Sequence, residues 1–389
     1  MRCHSIIFLL SLAAPLLAAC GQDTVIGGDP YRPDERTVAF GYYAAGSAST
    51  RAQKETFVDG ATNLTIPEGQ RVGVFGFYQG QTDWTPGTFT ADFMYNLPLA
   101  AGEAVKVMDT ASGDSVVRCS LNYDKETDKK YWPNTPGDKL AFIAYYPWNE
   151  APSDDELASL DSYIQPVFTQ GGGIGTFRFK VASNTKDQLD FMVSDSVVNQ
   201  TKPGVNDRVR LTFHHALSAV TASVTRAQDL IDAGGQVANI SYTLSGVRST
   251  GTCHPVVSND GRLSFTWDGL TNDASFQVDA SSTGAGKEAE RTLLIIPQPL
   301  TTAVLTVTYD IEFHETVDGT DYVSYSYRDN VATFQLNSTD ESSGTAVWRA
   351  GLRYNYNVIV SLTAINIEPS ISQWTTGTME TDLNNPTNT

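Results

Sequence analysis

The sequence predicts an all-β protein that works outside the cytoplasm, and three observations carry that prediction. Aromatic residues make up 10% of the chain, and its 31 glycines and 17 prolines are spread along it, a composition that suits short strands joined by turns. Apolar residues alternate with polar ones over short runs, while long helical periodicity is nearly absent. The chain also opens on an apolar run that ends in small residues and a cysteine, the layout of a cleaved secretory signal.

The N-terminus comes first. Arg2 gives a short positive start, and the apolar run from Ile6 to Leu17 is too short for a stable membrane span. Leu17-Ala18-Ala19-Cys20 follows. A cysteine in that setting is the acylation site of a bacterial lipoprotein, with Cys20 as the new N-terminus. Several acyl chains give stable anchoring where one chain is marginal. The alternative is an ordinary secretory signal with an incidental cysteine. Residues 1–19 are thus expected to be a signal peptide and 20–51 a lipidated tether with a first strand. The 389 residues are ample for two cores, and the formal net charge of -18 disfavours nucleic acid and anionic lipid headgroups as partners.

The strands then follow in order. Val38, Phe40 and Tyr42 alternate with small or polar neighbours. Gly46 to Thr50 is small and flexible, with Arg51 at its end. Arg71 to Tyr78 is a second strong strand, and the apolar stretch from Phe89 to Lys106 is broken by Pro98. Lys139 to Tyr146 is apolar at nearly every position, which predicts burial on both faces. Ser153 and Glu156 form a capping-box pattern, so a short helix to about Leu160 is expected. Pro203-Gly204 sits in a polar stretch and marks a boundary. Beyond it, Val209 to Phe213 and Val220 to Val224 read as strands, and Asn259-Asp260-Gly261 and Asp318-Gly319 read as hairpin turns. Tyr354 to Val360 and Leu362 to Ile367 are the last strands, Trp374 closes the ordered part, and the tail is polar. The spacing fits two successive antiparallel β-sandwich domains, 37–200 and 207–377, followed by a polar tail at 378–389.

No catalytic, cofactor or metal site is expected. His214, His215, His254 and His314 have no paired ligand spacing. Asp124, Glu126 and Asp128 alternate near a turn, but Lys125, Lys129 and Lys130 crowd them with positive charge. Gly171 to Gly175 lacks the Lys-Ser/Thr of a phosphate loop. The tryptophans suit sandwich cores and strand ends better than a sugar platform. Cys119 and Cys253 are far apart and read as small apolar residues, with a single disulfide possible but unforced.

Several phrases taken together resemble the fimbrillin family, the pilins of Bacteroidetes surface fimbriae. These are the lipobox with an early strand and Thr50-Arg51-Ala52, Arg71-Val-Gly-Val-Phe-Gly-Phe, Tyr131-Trp132-Pro133 leading to Leu140-Ala-Phe-Ile-Ala-Tyr-Tyr-Pro147, and Asp190-Phe-Met-Val. Leu211-Thr-Phe-His214-His-Ala-Leu-Ser-Ala-Val220, Ile295-Ile296-Pro297-Gln298, and Tyr354-Asn-Tyr-Asn-Val-Ile-Val running on to Ile371-Ser-Gln-Trp374 complete the series. The resemblance implies Greek-key, transthyretin-like sandwiches and export as an outer-membrane lipoprotein. It also implies that an Arg-specific protease removes the N-terminal segment with its first strand. The partners implied are other pilin subunits, joined head to tail by strand exchange, and host or bacterial surface ligands.

On that scheme Arg51 is the cleavage site and the strand bearing Val38, Phe40 and Tyr42 is displaced. Arg36 is also accessible, but a cut there leaves the strand in place. The candidate donor is the C-terminal segment with Leu362, Ile365, Ile367, Ile371 and Trp374, because the tail beyond offers only Met379 and Leu383. If that segment stays in its own sheet, the subunit accepts a strand without giving one, which suits a tip or accessory pilin. A surface glycan-binding lipoprotein and an uncleaved, anchored adhesin are the alternatives. Replacing Cys20 by Ser is expected to release or misprocess the precursor in membrane fractionation. Unchanged membrane partitioning with normal signal cleavage would contradict lipidation.

Overall fold

The computed structural model describes residues 36–44, 66, 68–85, 87–102, 105–108, 115–168, 175–202, 208–257, 263–279, 292–336, 346–363 and 365–373. Its strands are β1 (Phe40–Ala44), β2 (Arg71–Gly80), β3 (Met94–Ala101), β4 (Val105–Met108), β5 (Ser115–Arg118), β6 (Ser120–Tyr123), β7 (Lys139–Tyr146), β8 (Tyr163–Val167), β9 (Thr176–Lys180) and β10 (Met192–Ser194). They continue with β11 (Val197–Gln200), β12 (Val209–His215) and β13 (Ser218–Arg226), then the single described α-helix α1 (Gln228–Asp232), β14 (Gly235–Val257) and β15 (Leu263–Asp279). The last are β16 (Leu293–Ile295), β17 (Val304–Val317), β18 (Thr320–Gln335), β19 (Leu352–Val360) and β20 (Ile365–Gln373). The chain is all-β, as its alternation predicts.

The N-terminal sheet differs from the sandwich expected there. Its order is β10-β12-β1-β6-β3-β2-β7-β11, and a further pairing of β10 with β7 closes it into a barrel-like ring. Closure removes the edges of the ring itself, and β11 lies outside it on β7. Val38, Phe40, Val72, Val74, Leu99, Leu121, Phe142, Leu211 and Phe213 fill its interior. A second difference is direction. Most pairs are antiparallel, but β1 runs parallel to β12 and β13 runs parallel to β19. Their partners lie far apart in sequence, so no hairpin turn constrains their direction.

The remaining strands form a four-stranded sheet, β16-β13-β19-β20, and a six-stranded one, β18-β17-β14-β9-β8, with β15 also on β14. The two sheets share the larger core, which includes Leu244, Trp348, Tyr356 and Val358. Hydrogen bonding does not follow the 200/207 division. β9 pairs with β14, and β12 pairs with β1 and β10.

The two cores meet through strands buried on both faces. In β7, Leu140, Phe142 and Ala144 point into the barrel, while Ala141, Ile143 and Tyr145 join the larger core. This is the physical reason for the unbroken apolar run that the sequence shows there. Val74 and Phe75 of β2, and Met192 and Val193 of β10, divide in the same way.

Local signals fare unequally. Asp318 and Gly319, at φ 51° and 78°, make the turn between β17 and β18, the positive-φ pair that a two-residue hairpin needs. β3 runs straight through Pro98, which faces Gly73 of β2. Its pairing with β6 starts only at Leu99, so the missing N–H falls where the strand has one neighbour. The expected helix after Ser153 is absent. The cap forms, with Ser153 N and Oγ donating to Glu156 Oε2 at 2.8 and 2.7 Å. These hydrogen bonds hold the Glu156 carboxyl below its ordinary pKa. The residues that follow are mostly exposed turns, without the apolar stripe that would hold a helix down.

Phe142 joins β7 to the barrel interior through edge contacts with Phe40, Phe93 and Trp132. Phe142→Ala is expected to lower unfolding free energy by about 3–5 kcal/mol in denaturant titration. A loss below about 1 kcal/mol would mean that the barrel interior is not close-packed.

Candidate functional site

The residues flagged for displacement come together in one place. β1 is a stave between β12, which it parallels from Phe40↔Val209 to Ala44↔Phe213, and β6, which it meets antiparallel at Phe40↔Leu121 and Gly41↔Ser120. Alternation sends Val38, Phe40 and Tyr42 inward. Val38 and Phe40 are fully buried and Tyr42 nearly so. The Phe40 ring meets Phe142 edge-on at 5.1 Å, and the Tyr42 ring meets Phe213 at 6.3 Å.

Backbone contacts bind the strand on both sides. Val38 N donates to Lys130 O at 2.8 Å, Tyr42 N to Cys119 O at 3.2 Å, and Val209 N to Ala39 O at 2.8 Å. Side chains reinforce them. Tyr123 Oη donates to Val38 O at 2.8 Å, and Arg208 Nη1 donates to Phe40 O at 3.2 Å. The Tyr42 hydroxyl donates to Ile66 O at 2.9 Å, tying the strand to the point where the described chain resumes. Gly41 eases close approach, since a Cβ there would stand a tight 3.2 Å from Cys119 O. Burial raises the pKa values of the Cys119 thiol and the Tyr123 phenol, which matches a slot sealed from water.

If β1 leaves, β6 and β12 become two facing edges with unpaired backbone groups, and three interior side chains are lost. At about 1.5–3 kcal/mol for each large apolar side chain buried, that loss rivals the stability of a whole domain. A strand entering in β1's direction would lie parallel to β12 and antiparallel to β6. Leu121 on β6 and Leu211 and Phe213 on β12 line the position of β1 in the barrel interior, and sequence reasoning did not bring them to it. The alternation of Val209, Leu211 and Phe213 marks a strand there, but no local signal names β1 as its partner.

The candidate donor segment is held in its own sheet. β20 pairs with β19 from Leu352↔Gln373 to Val360↔Ile365. Ile365 and Ile367 pack on the larger core, whereas Leu362 and Ile371 are exposed. Leu362 N donates to Asp229 Oδ2 at 3.1 Å. Cys20, Arg51, Trp374, Met379 and Leu383 lie outside the described residues.

Other candidate chemistry resolves into structure. His214 and His215 point to opposite faces, with His214 Nε2 2.9 Å from Asp195 and buried His215 Nδ1 2.7 Å from Asp190. Asp124 pairs with Arg71, and Glu126 pairs with Lys129, each at 2.8 Å. Among the described residues no group of three or more His, Cys, Asp or Glu is placed to hold a metal ion. Cys119 and Cys253 are free thiols in different cores. Trp132 and Trp348 are buried, and Trp84, Trp148 and Trp267 are half-buried.

A barrel-like ring in which β1 is one stave, joined to paired sheets, defines a β-protein built around strand packing. The family model described as fimbrillin-like matches residues 50–374, and the chain belongs to that family. Its members are structural and non-enzymatic, so this chain is a pilin-like protein and not an enzyme. No match is found among curated proteins. Among solved structures it is similar to a fimbrial protein from Bacteroides vulgatus at 17% identity and a TM-score of 0.55, covering 87% of this chain and 100% of that one. It is also similar to a candidate cell adhesion protein from Bacteroides uniformis at 16% identity and a TM-score of 0.50, covering 88% and 100%. At these identities the likeness is one of fold.

Tyr42→Phe, which removes only the hydroxyl that reaches Ile66, is expected to cost about 0.5–1.5 kcal/mol in chemical denaturation. No change would mean that this tie does not secure β1.

Proposed function

We propose that this protein is a subunit of a cell-surface fimbria, exported as an outer-membrane lipoprotein and completed during assembly by a strand from a neighbouring subunit. The observation that carries this reading is β1 itself. It is one short stave of a closed ring, its inward side chains are all apolar, and it stands just ahead of the segment that ends at Arg51. The fimbrillin-like match begins at residue 50, after β1. Cutting at Arg51 would free the stave and open the slot. A donated strand would restore both the main-chain hydrogen bonds and the alternating contacts. Head-to-tail repetition of one such contact builds an open filament.

β20 supports an accepting role over a donating one. It is paired along its full described length with β19, which suits a tip or accessory subunit better than a stalk subunit. Contribution to adhesion follows from that position, with host or bacterial surfaces as the ligands. None of the described tryptophans is exposed, which weighs against the glycan-platform alternative. The division into units at 37–200 and 207–377 stays part of this reading, with β9 pairing to β14 and β12 to β1 across it. An anchored adhesin that keeps β1 in place is the second reading, and the intact ring suits it equally.

One experiment separates the two. The uncut precursor and an Arg51→Ala variant are treated with an Arg-specific protease and run as unheated samples on denaturing gels. The cut parent is expected to form a ladder of oligomers, and the variant to stay monomeric. A variant that polymerises as readily as the parent would remove Arg51 as the switch. A cut parent that persists as a stable monomer would contradict strand exchange.

A further inference from the structure

Edge strands of soluble proteins are kept from pairing by charges, prolines or cover. Of the outer strands, β8 carries Pro166 and β20 carries Glu368 and Pro369. β18 is guarded unevenly: its charges, Asp321, Arg328 and Asp329, sit near its turn end and at its middle and leave the stretch from Tyr322 to Tyr327 uncharged. Among the described strands it pairs only with β17, and its 16 residues include neither lysine nor proline.

Its exposed side chains have a pattern. The register sets Ile311 against Tyr327, Phe313 against Tyr325, and Glu315 against Tyr322. Residues two apart in β17 share a face, so all three tyrosines share it too. The register shift between Phe313 and His314 brings Tyr322 onto that face although it stands three residues from Tyr325. Tyr322, Tyr325 and Tyr327 are each more than half exposed. The Tyr325 and Tyr327 rings meet at 4.9 Å and 82°, and a hydrogen bond with Tyr325 raises the Tyr327 phenol above its ordinary pKa.

The ribbon is also acidic. Residues 311–328 hold Glu312, Glu315, Asp318 and Asp321 against Arg328. His314 stands between two of those acids on the opposite face, 3.0 Å from Asp321 Oδ2 and 3.5 Å from Glu312 Oε2. Glu315 shares the tyrosine face.

We propose that the β17–β18 ribbon is a docking surface for an extended, arginine- or lysine-bearing segment of a partner polypeptide, which adds to the free edge of β18 and lays its cations over Tyr322, Tyr325 and Tyr327. The edge supplies main-chain hydrogen bonds. The rings attract cations through their faces, and the surrounding carboxylates steer a basic partner while repelling a second copy of the same acidic ribbon. This surface lies in a different sheet from the slot between β6 and β12 and does not depend on strand exchange there.

The full chain is titrated with a labelled peptide of alternating arginine and valine, and with its glutamate–valine counterpart. Fluorescence anisotropy is read at low and physiological salt, and sedimentation velocity is run without peptide. The arginine peptide is expected to bind saturably and to weaken with salt. Binding is expected to fall about tenfold or more in Tyr322→Ser/Tyr325→Ser/Tyr327→Ser and to weaken in Glu315→Lys. If the triple variant does not fold, Glu315→Lys decides. Equal binding of the glutamate peptide, unchanged affinity in the folded variants, or a dimer of the parent that the triple variant abolishes would each overturn the proposal.

Discussion

Backbone pairing around the N-terminal ring sets the terms for everything attached to it. A ring of strands is satisfied only when each stave has two neighbours, and β1 completes this one between β6 and β12. The stave is short, but its inward residues Val38, Phe40 and Tyr42 reach the aromatic centre around Phe142 and Phe213. A slot shaped by that geometry is specific in two ways. It requires an extended backbone, because without β1 both walls would present unpaired groups. It also requires apolar side chains at alternate positions, because only one face of the stave meets the interior.

The coupling between the two cores bears on what the proposed release of this stave would cost. β2, β7 and β10 are held on one face by the barrel interior and on the other by the larger core. Losing β1 removes contacts from the first of these faces and leaves the second intact. The part of the ring farthest from β1 therefore keeps a packed support, while β6 and β12 are left as facing edges. This asymmetry suits a subunit in which one strand is exchanged and the body persists.

Much of this is legible in the sequence, and the limits are physical. Val38, Phe40 and Tyr42 announce a half-buried strand by period alone, and Lys139 to Tyr146 announces a two-faced one by the absence of polar interruption. Asp318-Gly319 fixes a hairpin because few residue pairs take positive φ twice. What local pattern cannot encode is the partner. Nothing near Val209 or Phe40 signals their parallel pairing, and nothing near Phe177 signals that β9 joins β14. Ring closure through β10 and β7 is equally silent. Ser153 and Glu156 show the converse. Their capping hydrogen bonds form as the motif demands, yet no helix follows, since a cap without an apolar stripe does not offset the cost of ordering one. The tyrosine face of β18 was hidden for another reason. Tyr322 and Tyr325 fall on opposite faces by simple alternation, and only the register shift beside Phe313 brings them together.

The central claim is that the space held by β1 is a slot that a separate strand can refill. The direct measurement is the unfolding free energy of the chain cut after Arg51 and freed of its N-terminal piece, with and without a synthetic peptide of residues 37–44 added in trans. The account predicts a marked loss of stability on removal, recovered in a saturable way by the peptide and not by one in which Val38, Phe40 and Tyr42 are serine. A cut chain as stable as the parent, or one indifferent to the peptide, would contradict it.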